Sequence, residues 1–298
     1  MSRRVVVTGG SGKLGRAVVR DLVAHGWQVV NLDTAAPAEP LCPFVKVDLT
    51  DYGQVVEALT AVDDRYRRVD AVVHLAAIPA PGLRPNAATF ANNVPATYNV
   101  FAAARLAGIR TVVWASSETV LGLPFDTPPP YVPADEEYPP SPESTYSLGK
   151  HLEEQMAAQF CRWDPELTMI GLRFSNVMEV ADYAGFPSFD ADPTLRSWNL
   201  WGYIDARDGA QAVRRALDHQ GKGAEVFVIA SPDTVMSRPN DELLKAVYPD
   251  VPLRREVGPH ETLLSIDKAR RVLGYAPVHS WREEVGTGQS ARSAAQES

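Results

Sequence analysis

Short apolar runs alternate with longer amphipathic stretches along most of the chain. Apolar runs that predict strands lie at residues 3–9, 27–33, 44–50, 69–77, 111–117, 167–174 and 225–230. Amphipathic stretches predict helices after residue 51 and at residues 13–26, 87–107, 144–161, 206–219, 239–247 and 266–273. Near-continuous apolar strands of this kind indicate a parallel sheet that is covered on both faces. The alternation predicts an α/β fold with a doubly wound parallel sheet and right-handed crossovers.

Composition and charge narrow the classes of partner. The chain has 298 residues, of which 45% are hydrophobic and 22% charged, as is ordinary for a globular protein. A net charge of -8 argues against nucleic acid as a partner, and no apolar run reaches the ~20 residues that span a bilayer. Cys42 and Cys161 cannot form a disulfide framework, and the histidines and cysteines have no metal-binding spacing. We therefore expect a cytoplasmic protein with no nucleic-acid, membrane or metal partner.

A glycine-rich turn joins the first predicted strand to the first predicted helix. In "TGGSGKLG", Gly9, Gly12 and Gly15 permit a tight turn, a close approach of backbone N–H groups to a pyrophosphate, and close packing of helix on strand. This strand–turn–helix context is the one that a dinucleotide-binding motif requires. Lys13 and Leu14 lie in the same turn, so the sequence predicts that a dinucleotide binds here.

Two aspartates follow the second and third predicted strands. Asp33 lies eighteen residues after Gly15. A carboxylate there can accept hydrogen bonds from both hydroxyls of an adenosine ribose and would repel a 2′-phosphate, so NAD is favoured over NADP. Asp48 either meets the adenine amino group or caps a turn, and the sequence leaves both readings open.

A tyrosine and a lysine share one face of the helix predicted at residues 144–161. Tyr146 and Lys150 are four residues apart, the spacing that makes helical side chains neighbours. A free tyrosine, with a pKa of about 10, is a poor base at neutral pH. An adjacent ammonium group favours the phenolate. The pair is therefore either a solvated helix face or a catalytic base beside its activating group.

The order of these motifs resembles that of a known family. The chain is similar to the short-chain dehydrogenase/reductase superfamily, in its extended branch of NAD-dependent epimerases and dehydratases. The similar segments are "TGGSGKLG" (8–15), "HLAA" (74–77), "NNVPATYNVFAAA" (92–104), "SSETVLG" (116–122), "YSLGK" (146–150), "RFSNV" (173–177) and "SIDKARRVLGYAP" (265–277). Together they extend over nearly all of the chain from Val5 to about Trp281.

The resemblance implies a catalytic set and a cofactor. Tyr146 would take the proton from a substrate hydroxyl, Lys150 would hold the nicotinamide ribose, and Ser117 would hydrogen-bond the reacting oxygen. Asn93 would support the lysine or the cofactor. The expected NAD-binding residues are Gly9, Gly12, Lys13, Leu14, Gly15, Asp33, Asp48, Leu49, Leu75, Ala76, Ala77, Asn93, Tyr146, Lys150 and Phe174.

Residues near the substrate depart from the pattern of the relatives. Sugar-nucleotide dehydratases carry an Asp-Glu pair after the catalytic Ser or Thr, whereas this chain has Glu118 and Thr119. The second carboxylate of that pair is missing, which weighs against a 4,6-dehydratase. We expect Glu118 and Asn176 to contact the substrate.

The segment 173–208 is short and has little positive charge, so it offers few side chains to bind a diphosphate. Its length resembles that of the uronate dehydrogenases, in which case Arg196 would bind a substrate carboxylate with two hydrogen bonds. Alternatively, Arg196 is a surface arginine that packs on Trp198 or Trp201. Pro79 and Asn176 stand where the uronate dehydrogenases have serines.

These expectations divide the chain. Residues 1–172 would form a dinucleotide-binding (Rossmann) domain to which residues 205–230 return. Residues 173–204 and 231–283 would form a small, discontinuous C-terminal substrate lobe, and residues 284–298 a flexible tail.

The resemblance implies NAD-dependent hydride transfer at a secondary alcohol or ketone of a sugar-like or other small substrate, by an oxidoreductase or an epimerase. A uronate-type sugar-acid dehydrogenase and a non-catalytic NAD-binding regulatory protein are the alternatives. The helices at 87–107 and 144–161 would pack against a second copy, so a homodimer is expected.

Overall fold

A computed structural model describes residues 3–60 and 68–285 and contains a seven-stranded, wholly parallel sheet. The strands of this sheet are β1 (Arg4–Thr8), β2 (Gln28–Asp33), β3 (Phe44–Lys46), β4 (Ala71–His74), β5 (Thr111–Ser117), β6 (Thr168–Phe174) and β9 (Gly223–Ile229). Their order is β3-β2-β1-β4-β5-β6-β9. Short strands β7 (Val177–Met178) and β8 (Ile204–Asp205) pair separately. The doubly wound parallel sheet predicted from the sequence is confirmed.

Helices cover both faces of the sheet. They are α1 (Lys13–Ala24), α2 (Tyr52–Thr60), α3 (Asn86–Leu106), α4 (Thr145–Trp163), α5 (Ala206–Leu217), α6 (Asn240–Val247) and α7 (Asp267–Leu273). Helices α1 and α5 pack together on one face, and α3 packs between α2 and α4 on the other. Side chains alternate along β1. Val5 and Val7 belong to the core on the side of α1 and α5, and Val6 belongs to the core on the side of α2 and α3. Burial on both faces explains why these strands are apolar throughout.

The carboxyl ends of the parallel strands meet at one edge of the sheet. Strand order reverses between β1 and β4, and the chain leaves β1 at Thr8 and β4 at His74 on this edge. Strand β5 ends there at Ser117, paired with Phe174 of β6. Such a reversal opens a crevice in which open α/β sheets bind their ligands.

The proline-rich segment 122–142 forms a long loop, as predicted. Its backbone contacts the C-terminal part of the chain through isolated bridges of Val132 with Leu253 and of Ala134 with Leu264. Leu123 at the start of this loop is buried. The loop therefore packs against the C-terminal part of the chain instead of crossing open surface.

Some local features went beyond the sequence prediction. The stretch between β6 and α5 contains β7, β8 and 3₁₀ turns at Val180–Ala191 and Pro193–Asn199, where no regular element was predicted. Helix α4 begins after Ser144, whose hydroxyl accepts a hydrogen bond from the backbone N–H of Ser147. Within residues 3–60 and 68–285, no helix is long and apolar enough to cross a membrane. Most of the predicted tail, residues 286–298, lies outside the described residues.

Candidate active site

A cavity of about 1040 Å³ runs along the carboxyl edge of the sheet. One end is lined by Asp33 and Asp48, which follow β2 and β3. Tyr146 and Trp198 line the other end, and Ser117 lies beside Tyr146. Every expected NAD-binding position except Asn93 lines this cavity.

The glycine turn after β1 is packed too closely for larger side chains. Gly9 has a φ of +72°, and a Cβ there would lie 2.6 Å from the backbone nitrogen of Ala76. A Cβ on Gly15 would overlap the carbonyl oxygen of Gly9. Because the turn is this compact, the N-terminus of α1 opens directly onto the cavity at Gly12 and Lys13. Helix N-termini of this kind favour phosphate groups.

Asp33 is held by the glycine turn. Its Oδ2 accepts a hydrogen bond of 3.1 Å from the backbone N–H of Ser11, and its Oδ1 accepts one of 2.7 Å from that of Thr34. Asp48 lines the cavity and also accepts hydrogen bonds from the backbone and hydroxyl of Thr50. Asp48 therefore caps a turn, and its contact with the adenine amino group stays a prediction. Lys13 donates to Asp182 at 2.7 Å, so its positive charge is already paired.

Tyr146, Lys150 and Ser117 meet on the cavity wall. Lys150 Nζ lies 5.9 Å from the centroid of the Tyr146 ring and donates to the carbonyl oxygen of Ala115 at 2.8 Å. It also donates to Glu153 Oε2 at 2.9 Å, within the same helix. The pair in "YSLGK" is buried, with Tyr146 8% and Lys150 3% exposed, so it is not a solvated helix face.

Burial and neighbouring charges determine the protonation of this set. Burial raises the pKa of Tyr146; Lys150 and Ser117 lower it, while Glu153 and Glu118 raise it further. The pKa of Lys150 is itself raised, because the Glu153 and Tyr146 charges outweigh burial, which lowers it. The lysine is therefore charged at neutral pH. The lysine favours the phenolate, as predicted, but burial outweighs it, so the pKa of Tyr146 stays above its ordinary value.

A chain of buried polar groups continues behind Lys150. His74 shares hydrogen bonds with the hydroxyls of Thr8 (2.8 Å) and Thr97 (3.0 Å). Burial and the nearby Lys150 lower the pKa of His74 to about 3. The imidazole is therefore neutral. It links the hydroxyls of Thr8 and Thr97, as a structural residue at the end of a buried strand would.

A second buried ion pair fixes α4 on the sheet. Arg173 of β6 donates to both carboxylate oxygens of Glu154, at 2.9 and 2.8 Å. Ser116 of β5 donates to the same carboxylate at 2.6 Å. Glu153 and Glu154 were not identified from the sequence, because adjacent acidic residues on a helix ordinarily face solvent. Their only sequence signal is that they follow the YxxxK pair by three and four residues.

Asn93 lies behind the cavity wall. Its side chain accepts a hydrogen bond from the backbone N–H of Ile78 at 2.8 Å and donates to the carbonyl oxygen of the same residue at 3.0 Å. Ile78 and the adjacent Pro79 line the cavity. Asn93 thus holds the loop after β4 and does not touch Lys150 through these bonds.

The expected substrate residues lie in two environments. Glu118 and Asn176 line the cavity. Arg196 is buried between the rings of Phe189 and Trp198, with its guanidinium carbon 5.3 and 5.0 Å from their centroids, and it is not among the residues that line the cavity. The sequence predicted either a substrate-binding arginine or a surface arginine that packs on Trp198 or Trp201. Arg196 does pack on Trp198, but it is buried and not on the surface.

The residues present fit NAD. The compact glycine turn, the N-terminus of α1 and the Asp33 carboxylate lie in the order in which a dinucleotide presents its pyrophosphate and adenosine ribose. Lys150 and Tyr146 lie toward the other end of the same cavity, where the nicotinamide would lie. Within the described residues, no group of histidine, cysteine and acidic side chains is arranged to hold a metal ion.

Comparison with known proteins agrees with this fold. UDP-glucose 4-epimerase 2 of Oryza sativa subsp. japonica is 30% identical over 191 residues, which cover 58% of this chain and 44% of that relative. This chain thus spans less than half the length of that relative. The crystal structure of a UDP-galactose 4-epimerase, 27% identical, has a TM-score of 0.68 and matches 95% of this chain and 96% of its own.

A short-chain dehydrogenase/reductase superfamily protein from Agrobacterium tumefaciens, crystallised with bound NAD, is 23% identical with a TM-score of 0.72. The match covers 99% of both chains and shows the shared fold. Residues 5–188, more than half of the chain, match the family described as the NAD dependent epimerase/dehydratase family. The chain therefore belongs to the NAD-dependent epimerase/dehydratase family.

Proposed function

We propose that this protein is an enzyme that transfers hydride between NAD and a secondary alcohol or ketone of a sugar-like or other small substrate. The observation that carries the proposal is the position of Ser117, Tyr146 and Lys150 on the wall of the cavity whose other end holds Asp33. A non-catalytic NAD-binding protein would not need this set intact. The presence of all three side chains in one buried site therefore favours an enzyme.

The chain's own residues would manage the proton. Tyr146 takes the proton from the substrate hydroxyl, and Ser117 orients the reacting oxygen by a hydrogen bond. Lys150, kept charged by Glu153, stabilises the phenolate. NAD, when bound, supplies the hydride acceptor and a positively charged nicotinamide. Because burial raises the pKa of Tyr146, that second positive charge is needed to make the tyrosine an effective base.

The curated relatives and one solved structure are named as UDP-sugar 4-epimerases, which supports return of the hydride to the opposite face of the substrate. The uronate-type alternative depends on a carboxylate-binding Arg196. That guanidinium packs on the rings of Phe189 and Trp198 and is not among the described residues that line the cavity, which disfavours this alternative.

The test is an assay with NAD and a panel of secondary alcohols that includes free sugars, sugar acids and UDP-sugars. NADH is followed by its absorbance, and epimers are separated by chromatography. We expect at least one substrate to be oxidised or epimerised by the native protein. The proposal is wrong if the protein binds NAD but the Tyr146→Phe variant converts every accepted substrate as fast as the native protein does.

A further inference from the structure

Buried polar side chains are clustered at the substrate end of the cavity. Glu118, Asn199 and Arg196 are 3%, 0% and 7% exposed. Within the described part of the chain, Glu118 Oε2, Asn199 Oδ1 and Arg196 Nε have no hydrogen-bond partner. Buried polar atoms are nearly always paired in folded proteins. Of these three side chains, Glu118 lines the cavity, so its Oε2 is the atom whose hydrogen bonding a ligand can complete.

One oxygen of Glu118 is fixed from behind and the other is not. Asn199 Nδ2 donates to Glu118 Oε1 at 3.1 Å and to the carbonyl oxygen of Gly202 at 2.9 Å. Arg196 Nη2 donates to the same carbonyl at 3.0 Å. Asn199 and Arg196 thus form a rigid support for a carboxyl group that lines the cavity directly after the catalytic Ser117.

Positive charge is scarce among the side chains that line the cavity, and Arg196 lies outside that lining. Among the described residues, the cavity is lined by two cations, Lys13 and Lys150. Lys13 is paired with Asp182 at the glycine turn, and Lys150 with Glu153. A diphosphate is ordinarily bound by arginine or lysine side chains. At this end of the cavity it would face the Glu118 carboxyl group instead.

The protonation of Glu118 suits an uncharged ligand. Burial raises the pKa of Glu118 to about 7, while the nearby Ser175 hydroxyl, the hydrogen bond from Asn199 and the positive charge of Arg196 lower it. Near neutral pH a large fraction of the molecules therefore carries a protonated carboxyl group. A carboxylic acid both donates and accepts a hydrogen bond, as a hydroxyl group does.

We propose that the substrate is an uncharged, polyhydroxylated small molecule, and that Glu118 binds one of its hydroxyl groups other than the reacting one. This inference rests on the proposed function and names the substrate class of the same site. The UDP-sugars bound by several relatives would lack a partner for their diphosphate here. Specificity would come from a neutral hydrogen-bonding group in place of an anion site.

The first experiment compares neutral and anionic substrates of the native enzyme with NAD. The probes are D-glucose, D-galactose, D-xylose and myo-inositol, against D-glucuronate, UDP-glucose and UDP. We expect NAD reduction with a neutral probe and no saturable binding of UDP or UDP-glucose by calorimetry. Preferred conversion of UDP-glucose or D-glucuronate would overturn the substrate class, as would failure of every neutral probe.

The outcome separates the two proposals. If UDP-glucose is epimerised and the Tyr146→Phe variant is inactive, the substrate inference is wrong and the proposed function stands. If Tyr146→Phe retains full activity, the proposed function itself is wrong.

The second experiment tests Glu118 with the neutral substrate identified above. Glu118→Ala removes a hydrogen bond to the substrate, so we expect its KM to rise about tenfold or more. Glu118→Gln keeps the shape and both hydrogen-bonding functions, and its KM should stay within about threefold of native. NAD affinity, measured by calorimetry, should be native in both variants and shows that they are folded. Half-buried Glu179, which pairs with Arg16 and is not among the described residues that line the cavity, provides the control Glu179→Gln. A native KM in Glu118→Ala would overturn the assignment.

Discussion

The two ends of the cavity differ in how their polar groups are satisfied. At the cofactor end, the Asp33 and Asp48 carboxylates accept hydrogen bonds from neighbouring backbone N–H groups, and Lys13 has an ionic partner. At the substrate end, Glu118 and Asn199 retain buried atoms without a partner among the described residues. The Asp33, Asp48 and Lys13 side chains are thus paired within the chain, whereas one oxygen of Glu118 is left for a ligand.

The two ends also differ in how well a sequence motif predicts them. The cofactor end is built from consecutive residues around a turn, and Gly9 and Gly15 are required by backbone contacts that only glycine allows. The substrate end combines Glu118 after β5 with Arg196 and Asn199 from a 3₁₀ turn some eighty residues later. Motifs record the first kind of site well and the second kind poorly.

Lys150→Met should have the largest effect, because this lysine belongs to both ends. It leaves Glu153 as an unpaired buried carboxylate, which should lower the free energy of unfolding by about 3–5 kcal/mol. Turnover and NAD affinity should fall as well, since the ammonium group serves the phenolate and the ribose. Urea unfolding and NAD calorimetry measure these losses.

The double variant Lys150→Met/Glu153→Leu separates packing from chemistry. Replacing a whole buried ion pair by apolar side chains is often neutral for stability, so we expect unfolding to return toward native while turnover stays lost. Recovery of turnover in the double variant would show that the lysine has no catalytic role.

Tyr146→Phe should affect the chemistry alone. It removes the hydroxyl that exchanges the proton, so turnover should drop by a factor of about 10²–10⁴, while NAD affinity stays near native. Tyr131→Phe is the matched control, because that hydroxyl donates to Asp135 and is not among the groups that line the cavity. Steady-state kinetics with calorimetry decides; equal activity of the two variants would contradict the base assignment.

Asp33→Ala should change cofactor choice at the other end. Loss of a charged acceptor for the ribose hydroxyls should weaken NAD by about tenfold or more, and removal of the negative charge should improve NADP binding. Asp33→Asn retains a side-chain oxygen for the turn and tests the charge separately. Fluorescence titration with both cofactors gives the ratio; equal affinity of the native protein for NAD and NADP would refute the argument.

Tyr98→Glu should change assembly and leave the chemistry nearly intact. Large apolar side chains on α3 and α4 are exposed, among them Tyr98 (49%), Leu148 (42%) and Trp163 (50%). We propose that these helices meet a second copy in a homodimer. Light scattering should give a dimer for the native protein and a monomer for the variant, with Val278→Glu, which alters a residue 66% exposed elsewhere, as control. A native monomer at micromolar concentration would contradict the proposal.

The sequence predicted the fold well because period and turn chemistry are local. Each strand of the parallel sheet was visible as an apolar run, and the helix bounds differ from the structure by one or two residues, as at α3 and α4. Burial of charge was not predictable in this way. From the sequence, Glu153 is interpreted as a surface residue and Arg196 as either a substrate-binding or a surface residue. Their burial depends on the packing of α4 on the sheet and of Arg196 on Phe189.

The same limit applies to the pKa of Tyr146, the proposed catalytic base. The spacing of Tyr146 and Lys150 predicts an electrostatic stabilisation of the phenolate, and that contribution is present. Burial of the phenol has the opposite effect on the pKa, and it depends on elements that are remote in sequence. The sign of the net shift therefore could not be read from the motif.

The loop at residues 122–142 sets an order in which the site can be completed during synthesis. Val132 accepts a backbone hydrogen bond from Arg254, and Ala134 donates to Leu263 and accepts from Ser265. Strands β1–β4 and helices α1–α3 precede this point and can form as the chain emerges from the ribosome. The loop next to Ser117 acquires these partners only after the last part of the chain has been made. The cavity wall beside Ser117 would therefore be fixed only after the glycine turn and its strands have formed.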